Sequence, residues 1–288
     1  MPNGILIIDK PQNWTSMDVC AKVRGMLREK RVGHGGTLDP MATGVLPVFV
    51  GQATRAVEFA ENSRKEYVAG LRLGQVTNTQ DISGETLETR PVTASRAEVE
   101  AAMARFLGPI QQIPPMYSAI KINGQKLYDL ARKGQEVARK PRSITIYELE
   151  LLEQASETDY MFRCVCSKGT YIRTLCHDIG KALGCGGTLY SLRRTMAAGY
   201  TLAQAVTLEE VQEKGEALLL PTDSLFARYP AVTVRSDKQE KRVRCGNPIT
   251  LPGTPDGTYR VCGQDGTFLC LSRAEGGTLT SIKNFFGA

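Results

Sequence analysis

Strands and helices alternate irregularly along this chain, without repeated βαβ units, and that pattern predicts an α+β fold built on a sheet rather than a doubly wound one. Two further observations refine the expectation. Hydrophobic content of 42% and charged content of 23% over 288 residues describe an ordinary globular chain that can bury a large core. Beyond about residue 229 the texture changes: Gly246-Asn247-Pro248, Pro252-Gly253, Asp256-Gly257, Asp265-Gly266 and Gly276-Gly277 punctuate short strand-like runs. Turn pairs that close together predict a small, separate β-barrel-like domain. The boundary is expected in the proline-flanked stretch from Leu220-Pro221 to Tyr229-Pro230, which divides the chain into units 1–228 and 229–288.

The elements follow from local pattern. Gly4 to Ile8 reads as a short buried strand. Ser16 to Lys30 reads as a helix that Ser16 can cap, with Val19, Val23, Met26 and Leu27 at helical spacing. Val45 to Val50 is a β-branched run suited to a sheet, and Tyr67 to Leu73 alternates as a strand does. Gly74 to Gly84 reads as a polar loop with Asp81 and Gly84 as turn residues. Arg96 to Phe106 is a second helix, with Val99, Met103 and Phe106 on one side. Ile144 to Leu152 and Tyr160 to Cys166 are expected to pair across a polar turn, and Tyr171 to Leu183 to be helical. No internal repeat or low-complexity tract interrupts the pattern.

Charge permits a polyanionic partner without requiring one: 36 Lys and Arg face 30 Asp and Glu, a net charge of +6. The local distribution says more. Lys121, Lys126, Arg132, Lys133, Arg139, Lys140 and Arg142 crowd one segment whose only acids are Asp129 and Glu136. A solvated helix face and a polyanion-binding surface fit that composition equally well. The apolar run Ile5–Ile8 ends at Asp9-Lys10-Pro11, too short for a signal-peptide core or a membrane span, so a cytoplasmic protein is expected. Eight cysteines include no Cys-x-x-Cys pair, and only His34 and His177 could join them, so reduced structural thiols are expected rather than disulfides or a metal.

The most informative stretch is Arg31-Val32-Gly33-His34-Gly35-Gly36-Thr37-Leu38-Asp39-Pro40, which sets one carboxylate in a glycine-rich loop between a basic segment and an apolar run. The glycines permit positive φ and close approach of a ligand, and Asp-Pro biases Asp39 toward an extended or turn conformation. An aspartate before proline is also a common helix start, and local pattern leaves both readings open.

The whole phrase resembles the active-site motif of the TruB-type tRNA pseudouridine synthases. Four other segments resemble that family in order: Gly4 to Ser16, Arg64 to Gly74, Pro114 to Arg132, and Cys166 to Gly180, followed by Ser191-Leu192-Arg193-Arg194. The sequence departs from the commonest motif in carrying Gly35 where many members have Thr, which is expected to make the loop more pliable. The resemblance implies a mixed, largely antiparallel sheet flanked by helices, the pseudouridine synthase fold, followed by a small PUA-like β-rich domain. It implies Asp39 as nucleophile, Arg173 as its partner, and Tyr67 as the aromatic hydroxyl that holds the base. Tyr171 and Leu192 become further walls of the pocket, and His34, expected at the loop's exposed tip, fills the gap left by an extruded base. By spacing alone Tyr67, Tyr171 and Leu192 are core residues and Arg173 a surface arginine at a helix start.

By the same resemblance, Pro114 to Arg142 is an RNA-clasping insert in which Lys121, Lys126 and Arg132 neutralise phosphates. The implied activity is conversion of uridine to pseudouridine at position 55 in the T loop of tRNA. No metal or other cofactor is expected, no membrane and no obligatory protein partner, and the protein should be a monomer that binds the T-arm stem-loop. Two alternatives stand beside this: a guide-RNA-dependent relative acting on ribosomal RNA, and a non-catalytic tRNA-binding or folding module.

Overall fold

The computed structural model describes residues 1–122 and 124–286; position 123 of the basic segment and positions 287 and 288 of the tail lie outside the described residues. The first strand, Gly4–Lys10 (β1), is buried almost end to end. Thr15, not Ser16, caps the helix Ser16–Leu27 (α1): the Thr15 hydroxyl takes the Asp18 N–H and Asp18 reaches back to Thr15. That frees the Ser16 hydroxyl, which accepts from the Leu38 N–H at 2.9 Å. The helix stops short of the expected Lys30, with Arg28 in the left-handed region at φ 52°.

Val32–His34 (β2) and Thr43–Val50 (β3) follow, then Val57–Glu61 (α2) and Lys65–Leu73 (β4). The stretch expected to be one polar loop instead opens a hairpin, Gln75–Thr77 (β5) pairing with Thr86–Thr89 (β6), and its tip turns inward. Arg96–Ala104 (α3) buries Val99, Ala102 and Met103 and leads into Gly108–Gln112 (β7). Within the basic segment lie a short hairpin, Lys121–Ile122 (β8) with Gln125–Lys126 (β9), and Leu127–Ala131 (α4). Arg142–Gln154 (β10) and Asp159–Cys166 (β11) pair antiparallel as expected. Ile172–Ala182 (α5), Gly187–Ala197 (β12), Tyr200–Thr201 (β13) and Leu208–Lys214 (α6) complete this part of the chain.

These strands form a nine-stranded sheet in the order β1-β3-β12-β4-β11-β10-β7, with β2 beside β3 and β13 beside β12. All its pairs are antiparallel except β3 with β12. That exception positions the site. Strand β1 covers one edge of β3 from Gly44 to Val50, so β12 and β2 must share the other edge. Strand β12 takes only Thr43 and Gly44, and β2 takes only Val48 to Val50. The sheet is therefore split, and the β2–β3 connection, residues 35–42, emerges at the split. Gly44 makes the crossing possible: at φ 101° its Cα faces the backbone of Arg194 so closely that a Cβ would lie 2.2 Å from the Arg194 carbonyl oxygen.

The apolar run of β1 is continuous because both faces are covered. Leu6 and Ile8 join the larger core with residues of α1, α5 and α6, whereas Ile5 and Ile7 face a second cluster with Val45, Phe49 and Ala60. The tail adds Leu271 and Phe285 to that second cluster. Its strands are Ala231–Thr233 (β14), Ile249–Thr250 (β15), Gly257–Cys262 (β16), Phe268–Glu275 (β17) and Thr278–Asn284 (β18), in the order β14-β16-β17-β18-β15. Strand β14 runs parallel to β16 inside the tail's own sheet and does not extend the main one. A helix stands where only strands and turns were expected: Asp237–Arg244 (α7), capped by Ser236, carries Lys238, Lys241, Arg242 and Arg244. Cys245 ends that helix and is exposed; all eight cysteines are free thiols.

The two sheets meet on phenylalanines. Phe59 packs edge-on against Phe226 at 5.1 Å between centroids, and Phe285 stacks on Phe268 at 5.1 Å and lies 5.3 Å from Phe226. Among the described residues no helix is long and apolar enough to cross a membrane.

Candidate active site

Asp39 begins a β-turn rather than a helix: the Ala42 N–H donates to the Asp39 carbonyl at 3.0 Å, with Pro40 at the second position, where its fixed φ suits the turn. The loop around it is held by its carbonyls. Arg194, fully buried, donates to Val45 O at 2.7 Å, Gly36 O at 3.1 Å and Thr37 O at 3.4 Å. The Ser16 hydroxyl sits 3.3 Å from Leu38 O. Pro40 O accepts from Asn13 N–H at 2.8 Å and from the Lys10 ammonium at 3.2 Å. With the Asp39 carbonyl in the turn, five successive carbonyls from Gly36 to Pro40 are engaged, three of them by buried cations.

Gly35 departs from the expectation of pliability. It is buried, its N–H donates to Pro47 O at 2.9 Å, and a Cβ there would lie 2.8 Å from Ala60 Cβ and 3.0 Å from the Phe49 ring. A side chain is excluded by packing. Of the three glycines before Asp39, only Gly36 uses positive φ, at 119°.

The Asp39 side chain, 34% exposed, points one carboxylate edge at Arg173, whose own side chain is only 6% exposed. Arg173 Nε lies 2.9 Å from Asp39 Oδ2 and NH2 lies 3.3 Å from Oδ1. Its remaining donors go to Thr79 O at 3.1 Å, Asp81 Oδ2 at 3.4 Å and Tyr117 O at 2.9 Å. NH1 and NH2 thus each donate to two acceptors, while Nε completes the ion pair with Asp39. The reading of Arg173 as a surface arginine fails because α5 begins inside the protein. Gln112 of β7 holds that start: its amide donates to Tyr171 O at 3.0 Å and accepts from Tyr171 N–H at 2.8 Å. Burial pushes the Asp39 carboxyl above the ordinary aspartate range, and the Arg173 guanidinium opposes that rise.

Tyr67 on β4 pairs across the sheet with Cys164 and Arg194, which places it beside the residue that braces the loop. Burial pushes its hydroxyl up to about 12, so it stays protonated at neutral pH. Leu192 on β12 sits opposite Ala69 and joins Leu38, Tyr67 and Ile172 in one apolar cluster. Tyr171 is half-buried at the head of α5, and burial raises its hydroxyl as well. His34 is not at an exposed tip. It ends β2 half-buried, with Nδ1 buried and without a partner among the described residues, and burial, with Arg194 nearby, lowers its affinity for a proton. Asp39, Tyr67, Arg173, Tyr171, Leu192 and His34 therefore gather around one loop and its supports.

Lys121, Lys126 and Arg132 stand apart from that group. With Gly124, Gln125, Asp129 and Lys133 they line an open concavity of about 540 Å³. Lys126 and Arg132 both lie over the Tyr128 ring, at 5.2 and 5.4 Å from its centroid. The link back is Tyr117, whose carbonyl Arg173 holds.

Sequence reasoning missed Lys10, Asp81 and Arg194. Lys10 donates to Pro11 O, Trp14 O and Pro40 O, and burial lowers it to about 8. A lysine at the end of a strand whose first five residues are apolar was the available signal, since buried lysines are rare without partners. Asp81 carried none: an acid among threonine, asparagine and glycine reads as a turn. Among the described residues no group of three or more His, Cys, Asp or Glu is placed to hold a metal ion.

The N-terminal domain of TruB family pseudouridylate synthases matches residues 24–172, and the C-terminal domain of tRNA pseudouridylate synthase B matches residues 173–227. A tRNA pseudouridine synthase B from Alkaliphilus oremlandii is 48% identical over 265 residues, 91% of this chain and 88% of that protein. One from Clostridium kluyveri is 45% identical over 290 residues, 98% of this chain and 99% of its own length. Among solved structures, a Cbf5-Nop10-Gar1 complex contains a chain that superposes with a TM-score of 0.74 at 27% identity, covering 99% of this chain and 85% of that one. The braced aspartate loop, the split sheet that presents it and these likenesses over nearly the whole length agree, and the chain belongs to the TruB family of pseudouridylate synthases.

Proposed function

We propose that this protein isomerises uridine to pseudouridine at position 55 in the T loop of tRNA, with Asp39 as nucleophile on a flipped-out uridine. The observation that carries the reading is the Asp39–Arg173 pair: a partly accessible carboxylate, on a loop whose carbonyls from Gly36 to Pro40 are engaged, aligned by a buried guanidinium that is itself anchored on Thr79 and Tyr117. Relatives 45–48% identical that are named tRNA pseudouridine synthase B support tRNA as the substrate class.

The reaction breaks the bond from ribose C1′ to uracil N1, turns the base and rejoins C1′ to C5; the C5 proton leaves and N1 gains one, so no atom is added or lost. A carboxylate serves this as it serves retaining glycosidases, by trapping the sugar at C1′. Assisting elimination to a glycal, or adding to C6 of the base, would use the same ionised group. Arg173 favours the ionised form as substrate displaces water. Tyr67, protonated and wedged in the sheet, faces the base, with Leu192 and Tyr171 as walls. A base stacked inside folded RNA is out of reach, so it must be extruded, and the neutral ring of His34 suits the vacated stack. Lys121, Lys126 and Arg132 neutralise phosphates of the hairpin arms.

The test is incubation of the purified protein, without guide RNA or other protein, with unmodified tRNA and with a T-arm hairpin, followed by mapping of pseudouridine. Product at position 55 in both is expected. Asp39→Asn, which keeps size and removes charge, should bind tRNA and form none. A requirement for guide RNA would support the guide-dependent alternative, and RNA binding with no product would support a non-catalytic module.

A further inference from the structure

We propose that Thr79 is a positioning residue for the reaction: its hydroxyl and its carbonyl together set the aim of Asp81 and Arg173, and so fix how Asp39 is held. The proposal rests on the reading of Asp39 as nucleophile.

Arg173 lies between two carboxylates, and an unrestrained Asp81 would compete with Asp39 for its forked donors. The loop tip between β5 and β6 prevents that. Asp81 Oδ1 accepts from the Thr79 hydroxyl at 2.8 Å, from the Ser83 N–H at 2.9 Å and from the Ser83 hydroxyl. With one oxygen occupied, only Oδ2 faces Arg173, and it does so through NH1 alone at 3.4 Å. The Thr79 carbonyl takes the same NH1 at 3.1 Å. Nε and NH2 are left for Asp39. Thr79 thus binds the carboxylate with its side chain and the guanidinium with its main chain.

The tip that carries it is itself fixed. The Thr77 hydroxyl donates to Asp81 O at 2.7 Å, the Ile82 N–H to Leu189 O at 3.0 Å, and the Thr174 hydroxyl, next to Arg173 on α5, to Gln80 Oε1 at 2.7 Å. Gly84 closes over it: a Cβ there would lie 2.3 Å from the Thr79 hydroxyl oxygen. Thr79 is buried and outside the loop that carries Asp39, so it acts through the two charged side chains and not on RNA.

Thr79→Val keeps shape and removes the hydroxyl. The charged groups facing Asp39 are Arg173 from α5, Asp81 from the hairpin tip and Lys10 from β1. Releasing Asp81 toward Arg173 weakens the strongest of the contacts that hold the Asp39 carboxyl down. At saturating tRNA, kcat should fall about tenfold, the loss expected for one hydrogen bond to a charged group. The acid limb of the kcat profile should move to higher pH while KM is unchanged, and Thr79→Ser should restore both. Wild-type kcat and an unmoved limb in Thr79→Val, with Asp39→Asn inactive, would overturn the proposal and leave the nucleophile reading intact; so would a raised KM at constant kcat. If near-UV circular dichroism finds Thr79→Val misfolded, Ser83→Ala removes a donor to the same oxygen, and an unshifted limb there overturns the proposal. Turnover by Asp39→Asn would remove both readings together.

Discussion

The loop that carries Asp39 and the segment that carries Lys121, Lys126 and Arg132 lie on either side of one arginine and are built on opposite principles. In the loop, residues 36–40 have every carbonyl engaged, and Arg194, Lys10 and Arg173 are buried around them. In the segment, cations are exposed or half-exposed around an open concavity, over a small apolar cluster of Met116, Leu127 and Leu130. Fixed donors around a reacting carboxylate cost no reorganisation when charge moves. Exposed lysines on a two-strand hairpin can adjust to a polyanion whose recognition is by shape. On the proposed reading, the contrast teaches that chemistry and grip are built separately in this molecule, and one place where they meet is the Tyr117 carbonyl that Arg173 holds.

The largest effect that would break this contrast belongs to Arg173. Arg173→Lys keeps charge but loses the fork, so kcat should fall about 100-fold, as when one preorganised donor is removed from a reacting centre. The sign of the pH effect follows from the forces on Asp39: burial raises its carboxyl and Arg173 opposes the rise. Activity that needs the ionised form is lost as pH falls through that raised value, and in Arg173→Lys the loss should begin at still higher pH. An acid limb at the ordinary aspartate position in either protein would break the assignment.

A smaller effect, on binding and not on rate, is expected from the other region. Replacing Lys121, Lys126 and Arg132 by Ala should lower the slope of log affinity against log salt by about 2 to 3. Turnover at saturation should be preserved. Titrations at several salt concentrations check this, and an unchanged slope would make the segment a solvated face. The smallest effect sharpens the loop itself. Gly35→Thr, which installs the residue common in the motif, must displace Phe49 or Ala60, and should lower stability by about 1–3 kcal/mol, the usual range for overpacking. A neutral or stabilising result in denaturant melts would mean the loop is as pliable as its glycines suggest.

Much of the fold was legible in sequence because periodicity reports burial. The strands around Ile5, Val45, Tyr67 and Tyr160, and the helices α1, α3 and α5, follow apolar spacing directly. Helix α7 was not, because DKQEKRVR offers one buried side chain, Val243, and no stripe. For the site, Asp39, Arg173 and Tyr67 came from resemblance; spacing alone would have left two of them in the core or on the surface. Asp81 and Arg194 escaped for a physical reason. Each acts through contacts to residues about 90 to 160 positions away, and nothing in local pattern distinguishes a charge that is solvated from one that is sequestered.

The phenylalanine seam between the two sheets has a geometric consequence. The boundary near residue 229, which we propose as the division between two units, is crossed by Phe226 against Phe268 and Phe285, by Arg260 with Asp223, and by Lys283 with Glu58. A unit joined by interlocked rings cannot pivot as one hung on a linker can. The molecule is then like a caliper with a locked jaw: α7 and its basic side chains stand at one set reach from Asp39.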